Sequence, residues 1–107
     1  MAFKVDNEAK GIRGELELNG ETYTYTAYPL SSEVVKLLIK AQKEEDELAS
    51  LEALDKYFEE CIEFDKKGIK NPKKELRKIL DRTGKFYEFV NYVIEEVGKQ
   101  IQTAQKD

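Results

Sequence analysis

The chain has 107 residues, 18 Lys and Arg against 22 Asp and Glu, a net charge of −4, no His, no Trp and a lone Cys61. That length suits one domain, which buries roughly two-thirds of its unfolded surface without staples. The missing His and the lone Cys exclude the usual zinc, haem and iron–sulfur ligand sets, Ser-His-Asp and Cys-His nucleophiles, and an internal disulfide framework.

A 40% apolar fraction with 11 aromatic residues is too high for a disordered chain. Residues 1–6 show no apolar signal region, and no stretch approaches the ~20 apolar residues of a membrane span. The most apolar short run, Val34 to Ile39, is interrupted by Lys36. The expectation is a soluble, cytoplasmic protein kept in a reducing interior.

The first dozen residues are polar and mixed, and read as loose or as a short edge segment. From residue 12 the period becomes two. Ile12, Gly14, Leu16 and Leu18 alternate with Arg13, Glu15 and Glu17; Asn19-Gly20 follows, then Glu21-Thr22-Tyr23-Thr24-Tyr25-Thr26-Ala27-Tyr28. Asn-Gly between alternating runs predicts a type I′ hairpin over 12–28, because both central residues need positive φ. The turn opposes Leu16 to Tyr23, Gly14 to Tyr25 and Ile12 to Ala27. One face then carries Ile12, Leu16, Leu18, Tyr23 and Tyr25; the other carries Arg13, Glu15, Glu17, Thr22, Thr24 and Thr26, as in a sheet covered on one side. An outer edge stays open unless Phe3-Lys4-Val5 or another subunit pairs with it.

Pro29 ends the second strand. A helical part is expected over 32–101. Ser31 or Ser32 caps the first helix, whose apolar positions are Val34, Val35, Leu37, Leu38 and Ala41. It fades in Glu44-Glu45-Asp46-Glu47. A second helix carries Leu48, Leu51, Leu54, Tyr57, Phe58, Cys61 and Ile62. Because neither Gly nor Pro separates them, the two also read as one kinked helix. Gly68 is a natural stop. Asn71-Pro72 restarts a helix with Leu76, Ile79 and Leu80, and Thr83-Gly84 breaks it. The last helix carries Phe86, Phe89, Val90, Val93, Ile94, Val97 and Ile101, and a polar tail over 102–107 is expected to fray. The fold class is therefore α+β, a hairpin packed on about four helices in a single domain over 1–107.

On a helical wheel the last helix has an apolar arc of roughly 160°. The plain reading is a central helix covered by the hairpin and its neighbours. Tyr92 falls outside the arc, either as a solvated ring or as an interface residue.

Charge is segregated along the chain. Residues 33–65 hold 4 basic and 11 acidic side chains, and residues 66–85 hold 9 basic and 2 acidic ones. Glu52, Asp55, Glu59 and Glu63 are spaced for one helical face, and Lys73, Lys74, Arg77 and Lys78 crowd the third helix. Three readings compete. The basic segment grips nucleic-acid phosphates, the two segments pair within one chain, or they pair between subunits. Nucleic acid ranks last, because the chain is acidic overall and Phe86 is the only aromatic at hand for stacking.

No catalytic constellation is present. A phosphate loop ending at Gly84-Lys85 requires Gly at position 79 and Ser or Thr at 86, where Ile79 and Phe86 stand. Stacked carboxylates without His do not make the di-iron pattern. Cys61, beside Phe58 and Ile62, reads as a small buried hydrophobe. Neither metal, cofactor nor enzymatic activity is expected.

The hairpin Gly14-Glu15-Leu16-Glu17-Leu18-Asn19-Gly20-Glu21-Thr22-Tyr23-Thr24-Tyr25 leads straight into helices, the last being Phe86-Tyr87-Glu88-Phe89-Val90-Asn91-Tyr92-Val93-Ile94-Glu95-Glu96-Val97. This organisation resembles the tail assembly chaperones of long-tailed phages and prophages of Gram-positive bacteria. The likeness in residues is carried by the hairpin and more loosely by the last helix; the lysine-rich third helix has no counterpart in it. The resemblance implies a non-enzymatic protein that self-associates and shields the helical tape-measure protein during tail assembly. Expected contact residues are Tyr87, Tyr92 and Ile94, with the charged faces of Glu52, Asp55, Glu59 and Glu63 and of Lys73, Lys74, Arg77 and Lys78 driving association. The alternatives are a small DNA-associated regulator using the basic helix over 71–82, and a prophage interaction domain of another role.

Overall fold

The computed structural model describes residues 11–65 and 72–105. The fold is α+β: strands β1 (Ile12–Leu18) and β2 (Glu21–Ala27), helices α1 (Ser32–Glu44) and α2 (Glu47–Cys61), a short strand β3 (Ile62–Phe64), then α3 (Pro72–Arg82) and α4 (Phe86–Gln105). The expectations for Phe3-Lys4-Val5, Gly68, Asn71 and the side chain of Ile101 lie outside the described residues.

The hairpin has the expected register, with Leu16 opposite Tyr23, Gly14 opposite Tyr25 and Ile12 opposite Ala27. Asn19 and Gly20 take φ of 52° and 81°, the pair of positive values that a type I′ turn requires. Gly14 has a second reason to be glycine: a Cβ there would collide with the Tyr25 ring. The inner face is apolar and the outer face wet. Tyr23, Tyr25 and Ala27 are buried, Ile12, Leu16 and Leu18 are half-buried, and Arg13, Glu15 and Glu17 are exposed.

The sheet departs from expectation at its other edge. Ile62 lies outside the second helix, as an extended residue at its C-terminal cap. The second helix stops at Cys61, and Ile62–Phe64 pairs antiparallel with β2, giving the order β1-β2-β3. Ile62 faces Ala27 and Phe64 faces Tyr25. The Tyr28 amide donates to the Cys61 carbonyl at 2.8 Å, and the Asp65 amide to the Thr24 carbonyl at 2.9 Å. The spacing of Phe58, Cys61 and Ile62 also fits a helix. The open edge of β2 decides for a strand, because it offers those backbone groups partners.

Helices α1 and α2 are separate, joined by two residues without Gly or Pro. Glu45 takes the left-handed conformation at φ 51° and its amide bonds back to the α1 end. Asp46 then caps α2, accepting from the amides of Leu48 and Ala49 at 3.1 and 3.2 Å. Ser31 caps α1. Ser31 and Glu33 lie beside Glu60 and Lys56 of α2, so the two helices run antiparallel. Pro72 opens α3, as a first-turn proline should. Gly84, at φ 71°, ends the α3 turn, and the Thr83 hydroxyl donates to the carbonyls of Ile79 and Leu80. α4 runs on to Gln105, past the expected start of the tail at 102, because no breaker interrupts Gln102-Thr103-Ala104-Gln105.

Helices cover the inner face of the sheet. The core joins Tyr25, Ala27, Val34, Leu54, Tyr57, Phe58, Ile62 and Leu80 to Phe86, Phe89, Val90, Val93 and Val97 of α4. The α4 arc is thus consumed by its own core. Rings link the layers: Tyr25 meets Phe89 edge-on at 5.5 Å and Phe64 at 5.9 Å, and Phe58 meets Phe86 at 4.9 Å. The Tyr57 hydroxyl donates to the Tyr28 carbonyl at 2.8 Å, and burial pushes its pKa well above the ordinary phenol range.

Both the Glu45 backbone and this hydrogen bond are open to test. Glu45→Gly removes a side chain from a left-handed position and stabilises the fold by about 0.5–1 kcal/mol. Tyr57→Phe deletes one buried hydrogen bond and costs about 1 kcal/mol. In thermal melts these appear as shifts of about 2–8 °C, upward for Glu45→Gly and downward for Tyr57→Phe.

Candidate functional site

The sheet is unevenly covered. Tyr23, Tyr25 and Ala27 of β2 and the first residue of β3 are buried under the helices, whereas β1 buries its inner side chains only in part. The uncovered part of β1 forms one wall of an open groove of about 420 Å³. Leu16 and Leu18 line it from β1, Leu80 from α3, Lys85 from the turn after Gly84, and Glu88, Phe89 and Tyr92 from α4. Leu80 and Phe89 are core residues that show one side to the groove. Tyr92 stands at its side with 54% of its surface exposed. Behind it, burial raises the Tyr25 hydroxyl pKa, with further upward pushes from Tyr92 and Glu96. Lys85 and Glu88 pair at 3.2 Å on the rim.

Next to this groove runs the outer edge of β1. Among the described residues no strand pairs with it. In a two-residue hairpin the flanking pair, here Leu18 and Glu21, exchanges hydrogen bonds, and the pattern then alternates. The even-numbered residues of β1 therefore bond to β2. Arg13, Glu15 and Glu17 turn their N–H and C=O groups outward. The same alternation is visible on the far side of β2, where Thr24 and Tyr28 bond to the β3 segment.

The expected charged residues fall into two groups. Asp55, Glu59, Lys73, Arg77 and Tyr87 meet where α2, α3 and α4 join. The Arg77 guanidinium donates to Asp55 Oδ1 at 2.6 Å and to Asp81 Oδ2 at 3.2 Å, and lies 3.9 Å from Glu59. Its Cζ stacks 3.7 Å from the centre of the Phe86 ring. Desolvation pulls the Arg77 pKa down, but the bonds to Asp81 and Asp55 outweigh it and leave the pKa raised. The Tyr87 hydroxyl donates to Asp55 Oδ2 at 3.3 Å. The Lys73 ammonium donates to the Glu59 carbonyl at 2.7 Å and sits 5.7 Å over the Phe58 ring, where desolvation lowers its pKa. For these residues the acidic and basic segments pair within one chain.

The second group is dispersed. Glu52 is exposed on α2, and Lys74 and Lys78 are exposed on α3, with Lys78 3.8 Å from Glu75. Glu63 does not share the α2 face; the helix ends before it, and it lies on β3, where it accepts from the Tyr28 hydroxyl at 3.3 Å. Ile94 is half-buried against the core. Of the three expected partner contacts, Tyr92 alone lines the groove.

Several apolar positions predicted for helix stripes are exposed instead: Val35 at 40%, Leu48 at 65% and Leu51 at 38%, together with Ile39. α1 packs mainly on α2, and a helix with one main neighbour buries one narrow stripe, here centred on Val34. Cys61 is buried, and burial raises its thiol pKa. No helix among the described residues is long and apolar enough to cross a membrane.

Arg77→Lys tests the junction. A lysine cannot fork to two carboxylates and stack flat on Phe86 at once. The expected loss is about 1–2 kcal/mol in a urea titration, with the slope unchanged. No family model, curated protein or solved structure matches this chain.

Proposed function

We propose that the chain is a non-enzymatic assembly chaperone of the phage-tail type, which self-associates in the bacterial cytoplasm and shields a long amphipathic tape-measure helix until the tail assembles around it. The observation that carries this reading is the open apolar groove beside the edge of β1 with which no strand pairs among the described residues. A tape-measure helix has an apolar stripe in need of cover, and Leu16, Leu18, Leu80, Phe89 and Tyr92 offer a seat for it. The docking surface is this groove rather than the α4 arc, whose side chains from Phe86 to Val97 are spent on the core. On the rim Glu88 is paired with Lys85, and the carboxylates of Glu15 and Glu17 favour a helix with basic flanks.

One seat is weak. Burying a Leu or Val side chain yields about 1.5–3 kcal/mol before association costs. Many copies along one helix supply the rest through avidity. Self-association is therefore part of the mechanism. The DNA-regulator reading loses ground on geometry: of the four cations assigned to the basic helix, Lys73 and Arg77 are turned onto α2 and held there.

The test is co-expression with a long heptad-bearing protein encoded downstream of this gene. The native chain is expected to keep that protein soluble and to co-purify with it. Tyr92→Asp puts a charge in the groove at an exposed position and is expected to weaken capture at least tenfold while leaving the melt unchanged. Failure of the native chain to retain the helical protein sinks the chaperone reading, and full capture by Tyr92→Asp sinks the groove.

A further inference from the structure

We infer that two copies of this chain pair through the outer edges of β1, antiparallel about Gly14, to make a continuous six-stranded sheet. The inference rests on the self-association proposed above and names its surface and register.

Three observations carry it. First, the edge is unpaired among the described residues, and Arg13, Glu15 and Glu17 point their backbone donors and acceptors outward along it. Such an edge templates another strand unless it is blocked. Among the described residues β1 lacks three of the usual blocks: it is seven residues long, without proline, and every residue is matched one to one with β2, without a bulge; the block it does carry, the charges of Arg13, Glu15 and Glu17, is of mixed sign and is neutralised where opposite charges meet.

Second, the charges select one register. Only residues with outward-pointing backbone groups can form the hydrogen-bonded pairs, so odd-numbered residues must oppose odd-numbered ones. Opposing Arg13 to Arg13 sets like charges together, and opposing Glu15 to Glu17 does so twice. Opposing Glu15 to Glu15 pairs Arg13 with Glu17 on both sides but leaves two carboxylates face to face. Centring on Gly14 places each Arg13 against the second copy's Glu15, twice, with no like pair. Directly opposed charges of opposite sign favour a register, and like ones disfavour it. Arg13 also lies 3.6 Å from Asp65 in its own chain, with both side chains about 70% exposed, so it is free to turn.

Third, the apolar residues agree with the charges. In the same register Ile12 opposes the second copy's Leu16, on the inner face. Opposed residues of an antiparallel pair point to one side of the sheet. The two half-covered inner faces of β1 thus lie side by side, and each groove gains the other copy's Ile12 beside its own Leu16. Half-burial of Ile12 and Leu16 in one chain is the expected state of residues completed by a second.

The experiment is sedimentation equilibrium of the full chain with two charge variants. The native chain is expected to dimerise. Arg13→Glu sets carboxylate against carboxylate at both crossing pairs, and Glu15→Arg sets guanidinium against guanidinium there. Each variant alone is therefore expected to lose at least tenfold in association while keeping its circular dichroism and melt. Mixed in equal amounts, the two variants regain complementary pairs on both sides and are expected to form a heterodimer. That recovery also rules out misfolding as the cause of the loss. A native chain that stays monomeric, as when its own residues 1–10 occupy the edge, overturns the inference and the self-association with it; capture of the helical protein is read out separately. An oligomer insensitive to either variant overturns the β1 surface alone. Loss without recovery on mixing overturns the register.

Discussion

Five rings tie the molecule together. Tyr25 and Phe64 stand on neighbouring strands, Phe58 comes from α2, and Phe86 and Phe89 come from α4; Tyr25, Phe58, Phe64 and Phe89 each touch at least two others in the set, and Phe86 touches Phe58 and the Tyr87 ring. Edge-on and tilted contacts of this kind add to the burial of large apolar surfaces. The network spans four elements and thereby fixes how the sheet faces the helices. It also depends on β3. Without the pairing of Ile62–Phe64 to β2, Phe64 would not reach Tyr25, and the second edge of β2 would lose its partner.

The same layering explains the uneven cover of the sheet. α4 crosses where its rings meet Tyr25 and Phe64, so β2 and β3 lie under it and β1 lies at its margin. The groove is the consequence of this off-centre seating. Its lining combines the margin of the core, Leu80 and Phe89, with residues that the fold leaves half-covered, Leu16 and Leu18. The proposed function and the proposed pairing both act on what this seating leaves unfinished: an apolar floor and a row of outward-pointing backbone groups.

Charge plays a different part from the one its segregation along the chain implies. The strongest cluster is internal. Arg77 bridges Asp55 and Asp81 while stacking on Phe86, which clamps α3 to α2 and to the start of α4. A partly buried, forked and stacked arginine is worth more than a solvated pair, because its geometry is held by packing. The exposed pairs elsewhere, such as Lys78 with Glu75 and Lys99 with Glu96, add little to stability. The charges of β1, few and modest, carry more information about association, because they sit at an edge where register is otherwise free.

Local chemistry alone determined the hairpin, its register and its wet and dry faces, because Asn19-Gly20 admits one turn type and a period of two admits one pairing. It also determined a serine cap at Ser31 or Ser32, between which the structure chose Ser31, the Pro72 start, the break at Thr83-Gly84 and the buried stripe of α4, all set within a few neighbouring residues. The division of α1 from α2 was only half legible, since it rests on Glu45 accepting a left-handed backbone, which sequence disfavours, so that Asp46 can cap. The groove was hinted at by Tyr92 alone. Its other walls come from β1, α3 and α4, segments brought together only by folding. Only the tertiary structure decided that Ile62–Phe64 is a strand, that Arg77 points inward, that Glu63 leaves the acidic helix face and that Val35 stays exposed. Each of these turns on how segments distant in the chain meet: the edge of β2, the carboxylate of Asp55, or the single main neighbour of α1. Non-local pairing and burial outweigh local propensity there, because a hydrogen-bonded edge and a covered face each carry more free energy than the choice between helix and strand for three residues.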